Sequence, residues 1–207
     1  MAHGTTNPEG PPTWRSRDRI LHAAKVLFAE RGYENTSTVA IARMAGTSES
    51  QLMKHFGSKE GLLEAIFEDG WATMSAGLGK LQGLTGIDRL RAMIDLVFTS
   101  LQHDPELKEL LLLEGRRVRK EGHMILLSGG FLEFVRGIDA ALEELRASGQ
   151  LRPELSPDLA RSALMGAFEG LLRDQLLAKR MNYHASYSDA QLRQAFDVVL
   201  TSLLASP

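Results

Sequence analysis

The sequence of 207 residues has no cysteine, which excludes disulfides, thiolate metal ligands and a cysteine-based redox sensor. It has no apolar run approaching the roughly 20 residues that span a bilayer. Its first residues carry no secretory pattern, so a cytoplasmic location without a membrane partner is expected. The six histidines, at 3, 22, 55, 103, 123 and 184, form no His-x-x-x-His or similar pair. A G-x-S-x-G elbow, a Walker loop and a dinucleotide fingerprint are all missing. The chain is therefore expected to be no enzyme and to hold no metal or cofactor. A net charge of −2 also argues against indiscriminate coating of nucleic acid.

What charge there is lies unevenly. Trp14 to Glu60 carries eight Lys/Arg against five acids, whereas Gly61 to Pro207 carries sixteen against twenty. Only the first stretch is suited to meeting phosphate.

Hydrophobic periodicity then divides the chain. Residues 1–12 hold three prolines and almost nothing apolar, and read as a disordered arm. A helix is predicted from about Thr13 to Arg31 on the stripe Ile20, Ala23, Ala24, Leu27 and Phe28, ended by Gly32. A fourth helix should run from Ser58 toward Lys80, with Leu62, Leu63, Ile66 and Phe67 packing on the N-terminal domain before Trp71 and Met74 enter the second. Further helices follow at about 87–102, from Pro105 through Arg117, from about Met124 to Ala147 with Gly129-Gly130 bending or interrupting it, from Ser156 to about Lys179, and from about Ser188. No stretch reads as a strand. The fold class is all-α with about nine helices, divided as arm 1–12, N-terminal helical domain 13–60 and second helical domain 61–207.

The stretch Ser37 to Lys59 organises the rest. Ile41, Ala42, Ala45, Leu52 and Phe56 are its apolar positions, and Gly46 supplies a left-handed turn between two short helices. Ser48 is the N-cap of the second helix, and Gln51 completes a capping box. This is a helix-turn-helix. Its second helix leaves Ser50, Gln51, Met53 and Lys54 on the open side, where Gln pairs with adenine and Lys with guanine or phosphate in a major groove.

Three segments resemble the TetR family of bacterial transcriptional regulators: RILHAAKVLFAERGYENTS (Arg19–Ser37), IARMAGTS (Ile41–Ser48) and LMKHFGSKEGLL (Leu52–Leu63). The likeness is strong over about residues 15–65 and loose afterwards. It implies an N-terminal three-helix DNA-binding domain and a C-terminal ligand-binding and dimerisation domain. It implies that Thr38, His55 and Lys59 anchor phosphates of double-stranded DNA, with Thr47 or Ser48 near the backbone at a helix N-terminus. His55 has a second reading, as a histidine at the core edge. The family usually has tyrosine where this chain has Met53, so an apolar contact replaces a phosphate hydrogen bond. Glu49 either favours the helix N-terminus electrostatically or accepts from cytosine. A chain that kept this fold but lost DNA binding, as a helical interaction module, is the alternative.

The resemblance further implies a homodimer through a four-helix bundle of the last two helices. Ala163, Gly166, Ala167 and Gly170 give one of them small residues for close packing, unless they face the protomer's own core. The second domain is rich in large soft side chains: Trp71, Met74, Met93, Phe98, Met124, Phe131, Phe134, Met165 and Phe168. Each one also suits a helical core; together they fit a site for a small apolar or amphipathic effector. Glu114, Arg117, Glu169 and Arg173 are candidates for its polar contacts.

Overall fold

The computed structural model describes residues 15–81, 83–117, 128–181 and 187–205. The expected arm at 1–12, the candidate Met124 and the centre of the stretch before the last helix lie outside them. Among the described residues there are nine α-helices and no strand, with a single isolated β-bridge between Leu151 and Leu204. Two compact units meet between Ala65 and Ile66, inside one continuous helix, rather than at the Glu60–Gly61 step expected from sequence. No change of composition marks that place because the helix does not stop there.

In the first unit, α1 (Ser16–Arg31) buries the whole expected stripe from Ile20 to Phe28 and ends at Gly32, whose φ is +83°. The loop after it is tied back by Thr36, a buried side chain whose hydroxyl reaches the carbonyls of Leu27 at 3.1 Å and Gly32 at 2.9 Å. Ser37 caps α2 (Thr38–Met44), accepting from the Ala40 amide at 3.2 Å. Gly46, at φ +63°, turns the chain into α3 (Glu49–Phe56). Ile41, Ala42, Ala45 and Leu52 are buried where the helices pack together, the small alanines permitting the close crossing. Truncating fully buried Leu52 to alanine would cost about 2–5 kcal/mol.

Ser48 caps α3 as expected, accepting from the Gln51 amide at 3.2 Å, but the box is only half made. The Gln51 side chain runs along the helix to His55 Nε2, 3.2 Å away, instead of back to the cap. After Gly57, the Ser58 hydroxyl accepts from the Gly61 amide at 2.9 Å and opens α4 (Lys59–Leu78). Gly61 is required by space: a Cβ there would lie 2.3 Å from the Phe56 carbonyl oxygen.

In the second unit, α4 buries Phe67, Trp71 and Met74 and passes into a single 3-10 turn at Gly79–Leu81. At Gly70 and Gly77 the branched ends of Leu107 and Leu96 occupy the room a Cβ would need, at 2.5 and 2.6 Å. α5 (Gly86–His103) buries Leu90, Met93, Ile94, Val97, Phe98 and Leu101. Asp104 and Pro105 start α6 (Pro105–Leu113), the Asp104 carboxylate accepting from the Leu107 amide at 3.0 Å. This helix stops at Leu113, short of the expected Arg117, because Glu114 and the residues after it form a turn.

Ser128 accepts from the Phe131 amide at 3.3 Å, so Gly129 and Gly130 begin α7 (Gly129–Ala147) rather than bend it. α7 packs on α5 and α8 (Pro157–Met181), and α9 (Asp189–Ser202) packs on α8. The Ser188–Gln191 pair makes the full capping box that Ser48–Gln51 does not. On α8 the core stripe is Ala160, Leu164, Phe168 and Leu172; Leu159 and Ala163, expected within it, are exposed. Gly166 and Gly170 lie on that exposed side, and a Cβ at either would meet nothing within 4 Å.

Candidate functional site

The open face of α3 is built on a fully buried Leu52. Ser50, Met53, Lys54 and His55 are exposed and Gln51 is half-buried, so donors, acceptors and one thioether share one side of the helix. Exposure of His55 removes its reading as a core-edge histidine; its ring lies 6.0 Å from that of Phe56. Thr47 is half-buried, and the exposed Ser48 uses its hydroxyl as the cap of α3. Lys59, half-buried in the first turn of α4, holds its ammonium 4.2 Å from the centre of the Tyr33 ring and 3.4 Å from the Glu34 carbonyl oxygen.

Glu49 and Thr38 meet across the turn, the Thr38 hydroxyl donating to the Glu49 carboxylate. That bond uses the one proton Thr38 has to offer, and a phosphate oxygen needs a donor. Glu49 also lies in the first turn of α3, where a negative charge opposes the helix dipole favourably. Two exposed arginines were not singled out by the sequence pattern: Arg17, whose guanidinium lies 5.5 Å from the centre of the Phe56 ring, and Arg43 in the last turn of α2.

In the second unit the structure brings Trp71, Phe131, Phe134 and Phe168 together around an apolar cavity of about 50 Å³. Ile94, Val97, Leu101, Leu111, Leu112, Met165, Glu169 and Leu172 complete its lining. The Trp71 ring centre is 5.2 Å from that of Phe131 and 5.4 Å from that of Phe134. Glu169 is its one ionisable residue, and Arg116 grips both carboxylate oxygens, through Nε at 2.5 Å and Nη2 at 2.6 Å. That bond holds the Arg116 pKa above its ordinary value.

The remaining candidates lie elsewhere, because a helical stripe faces several neighbours at once. Met74 is buried off the cavity. Met93 borders a separate groove with Ser75, and Phe98 borders another beneath the Arg193 guanidinium, 4.0 Å from its ring centre. Glu114 is buried with Arg117 as its partner, at 3.0 and 3.1 Å, and half-buried Arg173 is not part of the lining. Arg116 was missed; its signal is an acid, Glu169, inside the α8 stripe Met165, Phe168, Leu172.

Residues 20–66 match the family described as bacterial regulatory proteins, tetR family. The HTH-type transcriptional regulator UidR of Escherichia coli K12 is 25% identical over 197 residues, covering 94% of this chain and 96% of UidR. Residues 20–66 belong to the TetR family. The chain is a DNA-binding transcriptional regulator, and the matched residues contain all of α2 and α3. Solved structures share the fold of the chain. FadR from Bacillus subtilis, determined in complex with stearoyl-CoA, has a TM-score of 0.72 at 23% identity, over 91% of this chain and 97% of that one. AibR in complex with isovaleryl coenzyme A and operator DNA has a TM-score of 0.69 at 21% identity, over 90% and 99%. No described helix of the chain is long and apolar enough to cross a membrane, and no cluster of metal-ligating side chains occurs among the described residues.

Proposed function

We propose that this TetR-family chain is a homodimeric cytoplasmic repressor that holds an inverted-repeat operator through α3 and releases it when a small apolar or amphipathic effector enters the cavity beside Trp71. The observation that carries the DNA half of this reading is the exposure of Ser50, Gln51, Met53 and Lys54 on a capped helix whose opposite side buries Leu52. Gln51 and Ser50 read base edges, Lys54 meets guanine or phosphate, and Met53 meets a thymine methyl. Thr47, Ser48, His55 and Lys59 serve phosphates, and Thr38 joins them when its proton turns away from Glu49.

The effector half is supported by the four aromatic side chains around one cavity and by the acyl-CoA complexes of FadR and AibR. A cavity of 50 Å³ is about a third of the 150 Å³ that accommodates benzene in an engineered protein core, so an effector has to open it. α4 has residues in both units, and opening at Trp71 acts on the helix whose first turn carries Lys59. Reversing occupancy from about 99:1 to 1:99 takes roughly 10⁴-fold preference for the released state. The exposed small residues of α8 fit a second copy of the same helix.

The test is selection of the preferred DNA from a random pool. A site with dyad symmetry is expected, its half-site centres about 34–36 Å apart or a multiple of that. Recovery of no preferred site, or of one without a dyad, overturns the proposal and leaves the helical interaction module standing.

A further inference from the structure

Two polar groups of α4 are buried and have no hydrogen-bond partner: the Trp71 indole Nε1 and the Ser75 hydroxyl. Trp71 is only 4% exposed, and it lines the cavity, so its unmet donor belongs to a wall that is otherwise almost wholly apolar. Ser75 is one helical turn further on and therefore on the same side of α4. Gly130 of α7 lies over both: a Cβ there would come within 2.7 Å of Trp71 Cβ and 3.5 Å of Ser75 Oγ. Ser75 also borders a groove of about 490 Å³ whose other walls include Arg89, Glu133 and Arg136. Along α4 the apolar chamber at Trp71 thus gives way, one turn on, to the polar groove at Ser75, and each of the two residues carries an unsatisfied donor.

We infer that Trp71 and Ser75 form a two-donor latch for the effector, selecting a neutral molecule with an acceptor oxygen, such as a ketone, ester, thioester or amide carbonyl, on an apolar chain. The inference rests on the reading of this cavity as the effector site. A hydrocarbon leaves both donors unmet, which a buried site penalises. A carboxylate has to enter beside Glu169, and the guanidinium that would neutralise it, Arg116, already holds both Glu169 oxygens. The apolar chain fills the chamber, the carbonyl meets the two donors, and any larger head group extends into the groove beside Arg89 and Arg136.

The test uses 2-heptanone, heptane and heptanoate, matched in length, with the full chain carrying Trp14→Phe, which leaves Trp71 as the one indole. Binding is followed by the Trp71 indole N–H resonance and by calorimetry. The ketone is expected to move the indole proton downfield and to bind at least about tenfold tighter than heptane or heptanoate. Trp71→Phe, which keeps a ring but removes the donor, and Ser75→Ala should each reduce the preference for ketone over heptane while heptane still binds. Equal binding of ketone and heptane with an unmoved indole signal overturns the latch and leaves the cavity as the effector site. Tighter binding of heptanoate than ketone overturns the selection for a neutral molecule. If none of the three binds, the latch and the effector site fall together.

Discussion

The two units are both made of amphipathic helices with capped starts, yet they treat buried polar groups differently. In the smaller unit, the reader of DNA, the buried Thr36 hydroxyl finds two carbonyls, and the exposed Ser37, Ser48 and Ser58 each accept from an amide at a helix start, as Ser128 and Ser188 do in the larger unit. In the larger unit, Trp71 and Ser75 bury donors that meet nothing, beside a chamber that holds no side chain. A surface that must match a fixed groove in DNA gains from having its backbone ends satisfied and its helices set. A chamber that must admit a guest gains from groups the guest can satisfy.

The largest effect that would break this contrast is expected at Gly61. Gly61→Ala drives a Cβ toward a backbone oxygen at 2.3 Å, and overpacking of this kind costs about 1–3 kcal/mol. The variant should melt lower and lose DNA affinity by more than about tenfold. Melting and affinity that match the parent would mean that the junction of α3 and α4 yields easily, and that the reader is not the stiffer unit.

Next comes Gly166→Leu, in the larger unit. Nothing stands within 4 Å of a Cβ there, and leucine is the better helix former by somewhat under 1 kcal/mol, so the protomer should be no less stable. Sedimentation should nonetheless show a weakened dimer, since in the proposed assembly the added bulk meets a second copy. A dimer of undiminished affinity would rule out this face of α8.

On the reader surface smaller effects separate the roles. Gln51→Ala should relax preference at one position of each half-site by about 1–3 kcal/mol. Lys59→Ala should weaken all sequences alike and lower the salt slope by about one. Affinities across an operator panel at several salt concentrations decide between these patterns; a Lys59→Ala protein that loses sequence preference at an unchanged salt slope would reverse the assignment. The smallest change is expected from Glu49→Gln, which removes the carboxylate that Thr38 donates to. If Glu49 competes with phosphate for that proton, every sequence should bind a few-fold tighter, consistent with a hydrogen bond of about 0.5–1.5 kcal/mol. Loss of preference at one base pair instead would mark Glu49 as a cytosine reader.

The reader was largely legible because its signals are local. Gly46, the Ser48 cap and the alternation of Leu52 with Ser50, Gln51 and Met53 act within one or two turns of helix. The Thr38–Glu49 bond was not, since it depends on how two helices cross. In the larger unit the stripes were legible but their sorting was not. Phe98 and Phe131 are equally apolar in sequence, and only the register of the helices around the chamber places Phe131 on it and Phe98 under Arg193. The same holds for Glu114 and Glu169, one buried with Arg117 and one at the chamber wall. Gly129-Gly130 looked like a bend because the cap from Ser128 carries no stronger signal than any serine before a glycine.

The glycines of α4 have a further consequence, in time rather than in space. Gly61, Gly70 and Gly77 keep the helix thin where the Phe56 oxygen, Leu107 and Leu96 come close. Each also weakens the helix on its own account by about 1 kcal/mol relative to alanine. The amide hydrogen bonds of α4 therefore depend on what is packed around them, and a filled chamber should slow the entry of deuterium along the whole helix, including the turns that lie in the reader.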